Sequence, residues 1–222
     1  MSSDSFLALY LNAPLQSWGY ASKYDQRTSL GYPTRSGILG LLCAALGIDR
    51  ADAKSLQSLD GALEMTVYIL IPGSMLTDYH TVGGGYDLVS DTFKVPRRAS
   101  GGHGATMQTY REYLEDAKFG IVLKTDNARA TELAQALQNP HWGIWLGRKS
   151  CIPAARIFEG VYADHSAALS SLRHVADCED NGRVRVVSEA KSFAAGNDTL
   201  PDRPLDFTPN ARRFAPRRVL VE

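Results

Sequence analysis

The sequence lacks paired cysteines, long apolar runs and any excess of charge, and each absence narrows what the chain does. Its three cysteines, Cys43, Cys151 and Cys178, are far apart and form no CxxC pair. Neither a disulfide framework nor a structural zinc site follows from them, and reduced thiols in a cytoplasm fit this usage best. No stretch approaches the roughly 18 apolar residues of a membrane span. The opening residues carry no basic segment, and the apolar run Phe6 to Leu11 is too short for a signal peptide. Basic and acidic residues balance at 24 each. Bulk charge therefore selects neither a polyanionic nor a polycationic partner.

Catalytic signatures are missing as well. His80, His103, His141, His165 and His174 are scattered without the HExxH or related ligand spacing. There is no GxSxG elbow, and Gly83-Gly84-Gly85 lacks the Lys-Ser/Thr that completes a phosphate-binding loop. No cofactor or metal is implied. Tyr79-His80 and Lys149 supply the residue types of a metal-independent ribonuclease, a general acid, a base and a cation, but no spacing ties them together.

What is present is an ordinary globular composition, 44% hydrophobic and 22% charged in 222 residues, enough for one large domain with a substantial core. The charge is unevenly spread. Segments 93–111, 146–157 and 207–221 hold Lys94, Arg97, Arg98 and Arg111, then Arg148, Lys149 and Arg156, then Arg212, Arg213, Arg217 and Arg218, with no acid in any of the three. A neutral chain with acid-free basic stretches can turn one positive face to a polyanion, or simply solvate separate faces.

The pattern predicts a buried strand at Phe6 to Leu11. After a polar loop comes a helix with Thr34 or Ser36 as N-cap, an apolar stripe Ile38, Leu41, Leu42, Ala45 and Leu46, and Gly47 just past its end. Gly37 and Gly40, costly inside a helix, suggest close approach of another group. A short helix near Ala51 to Leu59 and a strand at Leu63 to Ile71 follow. Segment 81–108 is rich in glycine and poor in large apolar residues, so it reads as a protruding arm, with Lys94, Arg97 and Arg98 on it. Then come a strand around Lys118 to Leu123, a helix at Ala128 to Leu137, and strands at Trp142 to Leu146 and Ile157 to Tyr162. Tryptophans three apart on a strand point to opposite faces, so one of Trp142 and Trp145 is expected in the core. The order strand, helix, strand, repeated once, is the ferredoxin-like (RRM-like) α+β pattern with an antiparallel sheet. Residues 1–174 are expected to form this domain, and residues 175–222 a strand-containing extension of it, including strands at Val184 to Val187 and Arg218 to Val221.

Two local features carry binding chemistry. Gln16-Ser17-Trp18-Gly19 precedes the first helix, whose start Thr34-Arg35-Ser36-Gly37 offers free backbone N–H groups and a guanidinium, the equipment for a phosphate. The same residues also describe a tight turn and a capped helix. Gly147-Arg148-Lys149 beside the tryptophans pairs cations with rings, the combination an RNA site needs.

The segments Asn12 to Gly19, Pro33 to Leu42, Leu46 to Ile48, Asp78 to Val82, Thr109 to Leu114 and Leu146 to Cys151 occur in that order. They resemble the signature of the CasD-type Cascade subunits, the fifth Cas protein family of the RAMP superfamily. The resemblance spans residues 6–162 and fades from Val175. It implies a non-catalytic subunit that caps the 5′ handle of a CRISPR guide RNA (crRNA), with the arm as a thumb folded over the RNA. Its implied partners are that handle, the Cascade backbone and large subunits and, indirectly, target DNA; a membrane is not among them. Carried over by motif position, Gln16, Trp18, Arg35, Ser36 and Gly37 lie near the handle, Arg111 at the thumb's return, and Arg148 and Lys149 against the RNA backbone. The glycine-rich loop typical of RNA-cleaving members is missing, since the last glycine is Gly196. A guide-processing endoribonuclease and a plain protein-interaction module are the competing readings.

Overall fold

The computed structural model describes residues 4–82, 85–87, 92–94, 106–178, 184–209 and 211–222, with the backbone alone for 85–87 and 92–94. The elements run β1 (Asp4–Asn12), β2 (Leu15–Gln16), β3 (Gln26–Arg27), α1 (Arg35–Leu46), α2 (Ala53–Gly61), β4 (Glu64–Ile71), β5 (Ser74–Val82), β6 (Gly85–Asp87) and β7 (Thr92–Lys94). They continue with β8 (Met107–Glu115), β9 (Lys118–Asp126), α3 (Asn127–Gln138), β10 (Phe158–Tyr162), α4 (His165–Val175), β11 (Arg185–Glu189), β12 (Asp198–Asp206) and β13 (Arg213–Val221).

The main sheet has seven strands in the order β10-β1-β9-β4-β11-β13-β12. Its first four strands, with α1 between β1 and β4 and α3 between β9 and β10, form the ferredoxin-like βαββαβ unit, antiparallel throughout. The one direct β–β connection of that unit, from Ile71 of β4 to Lys118 of β9, is where the arm leaves: β5 and β8 pair from Ser74↔Glu115 to Val82↔Met107. The arm's ladder therefore begins seven residues before Thr81 and is rooted on the end of the main sheet.

Side-chain alternation explains why β1 reads as wholly apolar. Leu7, Leu9 and Leu11 face the large core, with Met65, Val67 and Phe119 and the apolar stripes of α1 and α3. Ala8 and Tyr10 face the other way, where Tyr68 and Val122 meet Ala168, Leu172 and Ala176 of α4 and its end. A strand covered on both faces needs no polar alternation. Helix α4 thus closes the sheet face opposite α1 and α3.

The expected caps are found: Thr34 Oγ1 accepts from the Gly37 N–H, and Gly47 ends α1 in the left-handed region at φ 75°. Close approach holds at Gly37, where a Cβ would lie 2.8 Å from the Trp18 ring, and fails at Gly40, which has open space. The expected strand at Trp142 to Leu146 is a loop. Its backbone serves α1 instead, the N–H groups of His141 and Trp142 donating to the carbonyls of Ala45 and Ala44, groups a helix end leaves free. Both tryptophans are partly exposed, so neither is the core residue expected.

Candidate nucleic-acid interface

The start of α1 is built of internal partners. Gln16 is 0% exposed; its amide donates to the Ala117 carbonyl at 2.6 Å and accepts from the Trp18 indole N–H at 3.3 Å. Trp18 is 1% exposed, with its ring on Gly37. Arg35, 3% exposed, has its fork fully used: Nε donates to the Asp60 carboxylate at 2.5 Å, Nη2 to the carbonyls of Asp60 and Leu63, and Nη1 to the Glu189 carboxylate. The Arg35 backbone N–H donates to the Asp202 carboxylate at 2.7 Å, and Arg217 holds that carboxylate from the other side at 2.8 Å.

The expectation that Gln16, Trp18 and Arg35 meet RNA is therefore corrected, since their side chains are buried and internally bonded, while Ser36 and Gly37 are half-buried. An anion does sit at this helix N-terminus, as its dipole favours, but it is the protein's own Asp202. Ser36 donates to Thr34 Oγ1 at 3.4 Å, and the Gly37 N–H is taken by the same oxygen at 3.2 Å.

The basic hinge lies at the other side of Trp18. The Ser17 N–H donates to the Leu146 carbonyl at 3.0 Å, and a Cβ on Gly147, whose φ is 104°, would fall 1.8 Å from the Ser17 carbonyl oxygen. Only glycine fits, and the turn it makes sends out Arg148 and Lys149. Arg148 lies over the Tyr113 ring at 4.5 Å and donates to the carbonyls of Glu112 and Arg27, each at 2.7 Å. It ties the loop, β8 and β3 together while staying half-buried. Lys149 is exposed, its Nζ 5.9 Å from the Trp145 ring centre. Burial raises the Cys151 thiol, which leaves it protonated rather than a nucleophile at neutral pH.

The arm's root completes the surface. β8 pairs with β5 on one edge and with β2 and β3 on the other. Arg111 stands opposite Arg27 of β3 and donates to Thr109 Oγ1 at 3.0 Å. Arg27 and Arg111 are thus cross-strand partners, Arg148 reaches the Arg27 carbonyl with Lys149 next to it in sequence, and Asp78 of β5 stands opposite Arg111 on its other flank. The nearest acid along β8, Glu112, accepts from the Ser29 N–H at 2.9 Å. Arg27 went unnoticed as a site residue because its segment has no local pattern; only its pairing with β8 brings it in. Lys94 is in β7, of which the backbone is described, and Arg97 and Arg98 lie outside the described residues.

Nothing in this geometry assembles the ribonuclease constellation. Tyr79 and His80 are neighbours on β5 and so point to opposite faces. Among the described residues, no cluster of His, Cys, Asp and Glu could hold a metal ion, and no helix is long and apolar enough to cross a membrane.

A ferredoxin-like domain extended to seven strands, with a two-stranded arm leaving its β–β connection and a cationic patch at the arm's base, defines an RRM-like α+β protein of the RAMP type. Within that class the chain belongs to the CRISPR-associated protein (Cas_Cas5) family, whose model matches residues 6–220. It is 38% identical over 167 residues, 70% of each chain, to the CRISPR system Cascade subunit CasD of Escherichia coli (strain K12). Among solved structures it resembles a chain of a CRISPR RNA-guided surveillance complex, with a TM-score of 0.79 and 28% identity over 98% of this chain and 89% of that one. A crystal structure of a Cas protein matches with a TM-score of 0.69 and 29% identity, covering 98% and 93%.

Proposed function

We propose that this chain is a non-catalytic subunit of a Cascade-type surveillance complex, acting in the cytoplasm in antiviral defence. It binds and caps the 5′ handle of the crRNA, and it helps the backbone and large subunits assemble, meeting target DNA only through the complex. The observation that carries this is the likeness, over nearly the whole chain, to a chain of an RNA-guided surveillance complex. The cationic patch at the arm's base supports it chemically, because cations hold phosphates while single-stranded bases splay. Residues 175–222 we read as an extension of the same domain, supported by the pairing of β11 with β4.

In this reading Lys149, Arg27 and Arg111 face the RNA backbone, and Lys94, Arg97 and Arg98 act from the arm. The test is co-expression of the tagged chain with its sister subunits and a guide transcript. Co-purification of a guide whose 5′ end is protected from nuclease is expected. Recovery without RNA, or cutting of a labelled repeat RNA by the purified chain alone, would overturn the proposal.

A further inference from the structure

In an RRM-like domain the open face of the sheet is the natural platform for stacking bases. Here α4 covers that face, so Tyr10 and Tyr68 are internal and burial raises both phenols. Exposed rings are found instead on the small sheet at the arm's root. Tyr79 and Tyr110 stand directly opposite each other on β5 and β8. They are 52% and 41% exposed, with ring centres 5.4 Å apart and planes inclined by 50°. Gln26 of β3 is the partner of Tyr110 on its other side. One row of three adjacent strands therefore reads glutamine, tyrosine, tyrosine on a single face. Thr77, Thr81 and Gln108, all exposed, alternate onto the same face.

We propose that this row is a base-stacking platform for single-stranded RNA, displaced from the main sheet to the arm's root. The inference rests on the RNA-binding reading above and adds to it the surface and the ligand chemistry. Rings that touch each other and remain half-exposed present a π-face to a base. The flanking amides and hydroxyls are uncharged donors and acceptors suited to base edges. The phosphate beside a stacked base is answered by Lys23, the exposed bridge partner of Gln26, while Arg27, the next residue along β3, stands with Arg111 on the opposite face. Neither ring is part of the core, so truncating them leaves the fold in place.

The experiment uses the assembled complex with its own guide RNA. Replacing Tyr79 and Tyr110 together by alanine is expected to weaken guide binding about tenfold or more, with the double phenylalanine variant near wild type. The dependence of affinity on salt should keep its slope, since no phosphate contact is lost. Guides carrying one abasic nucleotide, stepped along the leading segment, should weaken wild type at one position and leave the double alanine variant unaffected there. If wild type binds guide RNA and the double alanine variant binds it equally well, the platform is refuted while the RNA-binding reading stands. If that variant keeps the RNA but sheds a sister subunit, the face is a protein contact and the platform is equally refuted. Failure of wild type to bind guide RNA at all overturns both.

Discussion

The start of α1 and the root of the arm hold the same kinds of side chain, and they use them in opposite ways. At the start of α1, Gln16, Trp18 and Arg35 engage every side-chain nitrogen with carbonyls and carboxylates of the same chain. At the root of the arm, Gln26, Tyr79, Tyr110 and Lys149 face solvent. The lesson is that residue type and motif density do not distinguish a binding site from a structural keystone; what distinguishes them is whether hydrogen-bonding capacity remains. Arg148 lies between the two regions, bound to two carbonyls yet half-open.

Four perturbations sharpen this contrast. The largest effect is expected from Arg35→Ala, which removes the buried cation shared by Asp60 and Glu189 and leaves Asp60 with the more exposed Arg203 and Glu189 with Arg217 at 3.7 Å. It should cost about 3–5 kcal/mol, lowering the melting temperature by roughly 10 °C. Guide affinity, measured where the variant is folded, should be unchanged; a selective loss of RNA binding at full stability would reverse the assignment of this region.

The next concerns Cys43 on α1, whose thiol burial pushes up from the ordinary 9.0 to about 11. An unfolded chain releases this proton first, so between those values it holds fewer protons than the folded chain. Stability then falls as pH rises through that window, by about 3 kcal/mol at most. Urea titrations from pH 8 to 11 should reveal the slope, and Cys43→Ala should remove its share.

Arg148→Ala comes third, at about 1–2 kcal/mol, through the loss of two carbonyl bonds and the stack on Tyr113. Arg148→Lys should recover little, because one ammonium lacks the planar fork that reaches both carbonyls. Paired melting curves of the two variants check this. Smallest in stability is Lys149→Ala, within about 0.5 kcal/mol. It should nevertheless weaken guide binding and lower the salt slope by about 1, read by filter binding across a salt series.

Much of the ferredoxin-like unit is legible in the sequence, because β1, α1, β4, β9 and α3 each bury a continuous apolar stripe. Strand β12 is not, since Asp198 to Asp206 contains two prolines and three aspartates. It is an edge strand whose ladder shifts register around those prolines, the place a sheet tolerates them. Helix α4 is hidden by its small residues; Ala168 and Leu172 suffice where the sheet lies close. In the candidate site, Arg148 and Lys149 are legible as cations near rings, whereas Arg111 enters the site only through the resemblance. Arg35 was misread because its partners Glu189 and Asp202 lie 154 and 167 residues away, in the part where the signature fades and no local pattern announces them.

The position of β11 has a consequence for biosynthesis. While the ribosome is still making the chain, β4 can already pair with β9, but its other flank stays bare until Arg185 to Glu189 has emerged. An open strand flank is a template for aggregation, and Glu189, the second counter-charge of Arg35 beside Asp60, arrives equally late. A nascent chain therefore lingers as a half-clad intermediate of the sort that chaperones shelter, and a premature stop after α4 would leave it in that form.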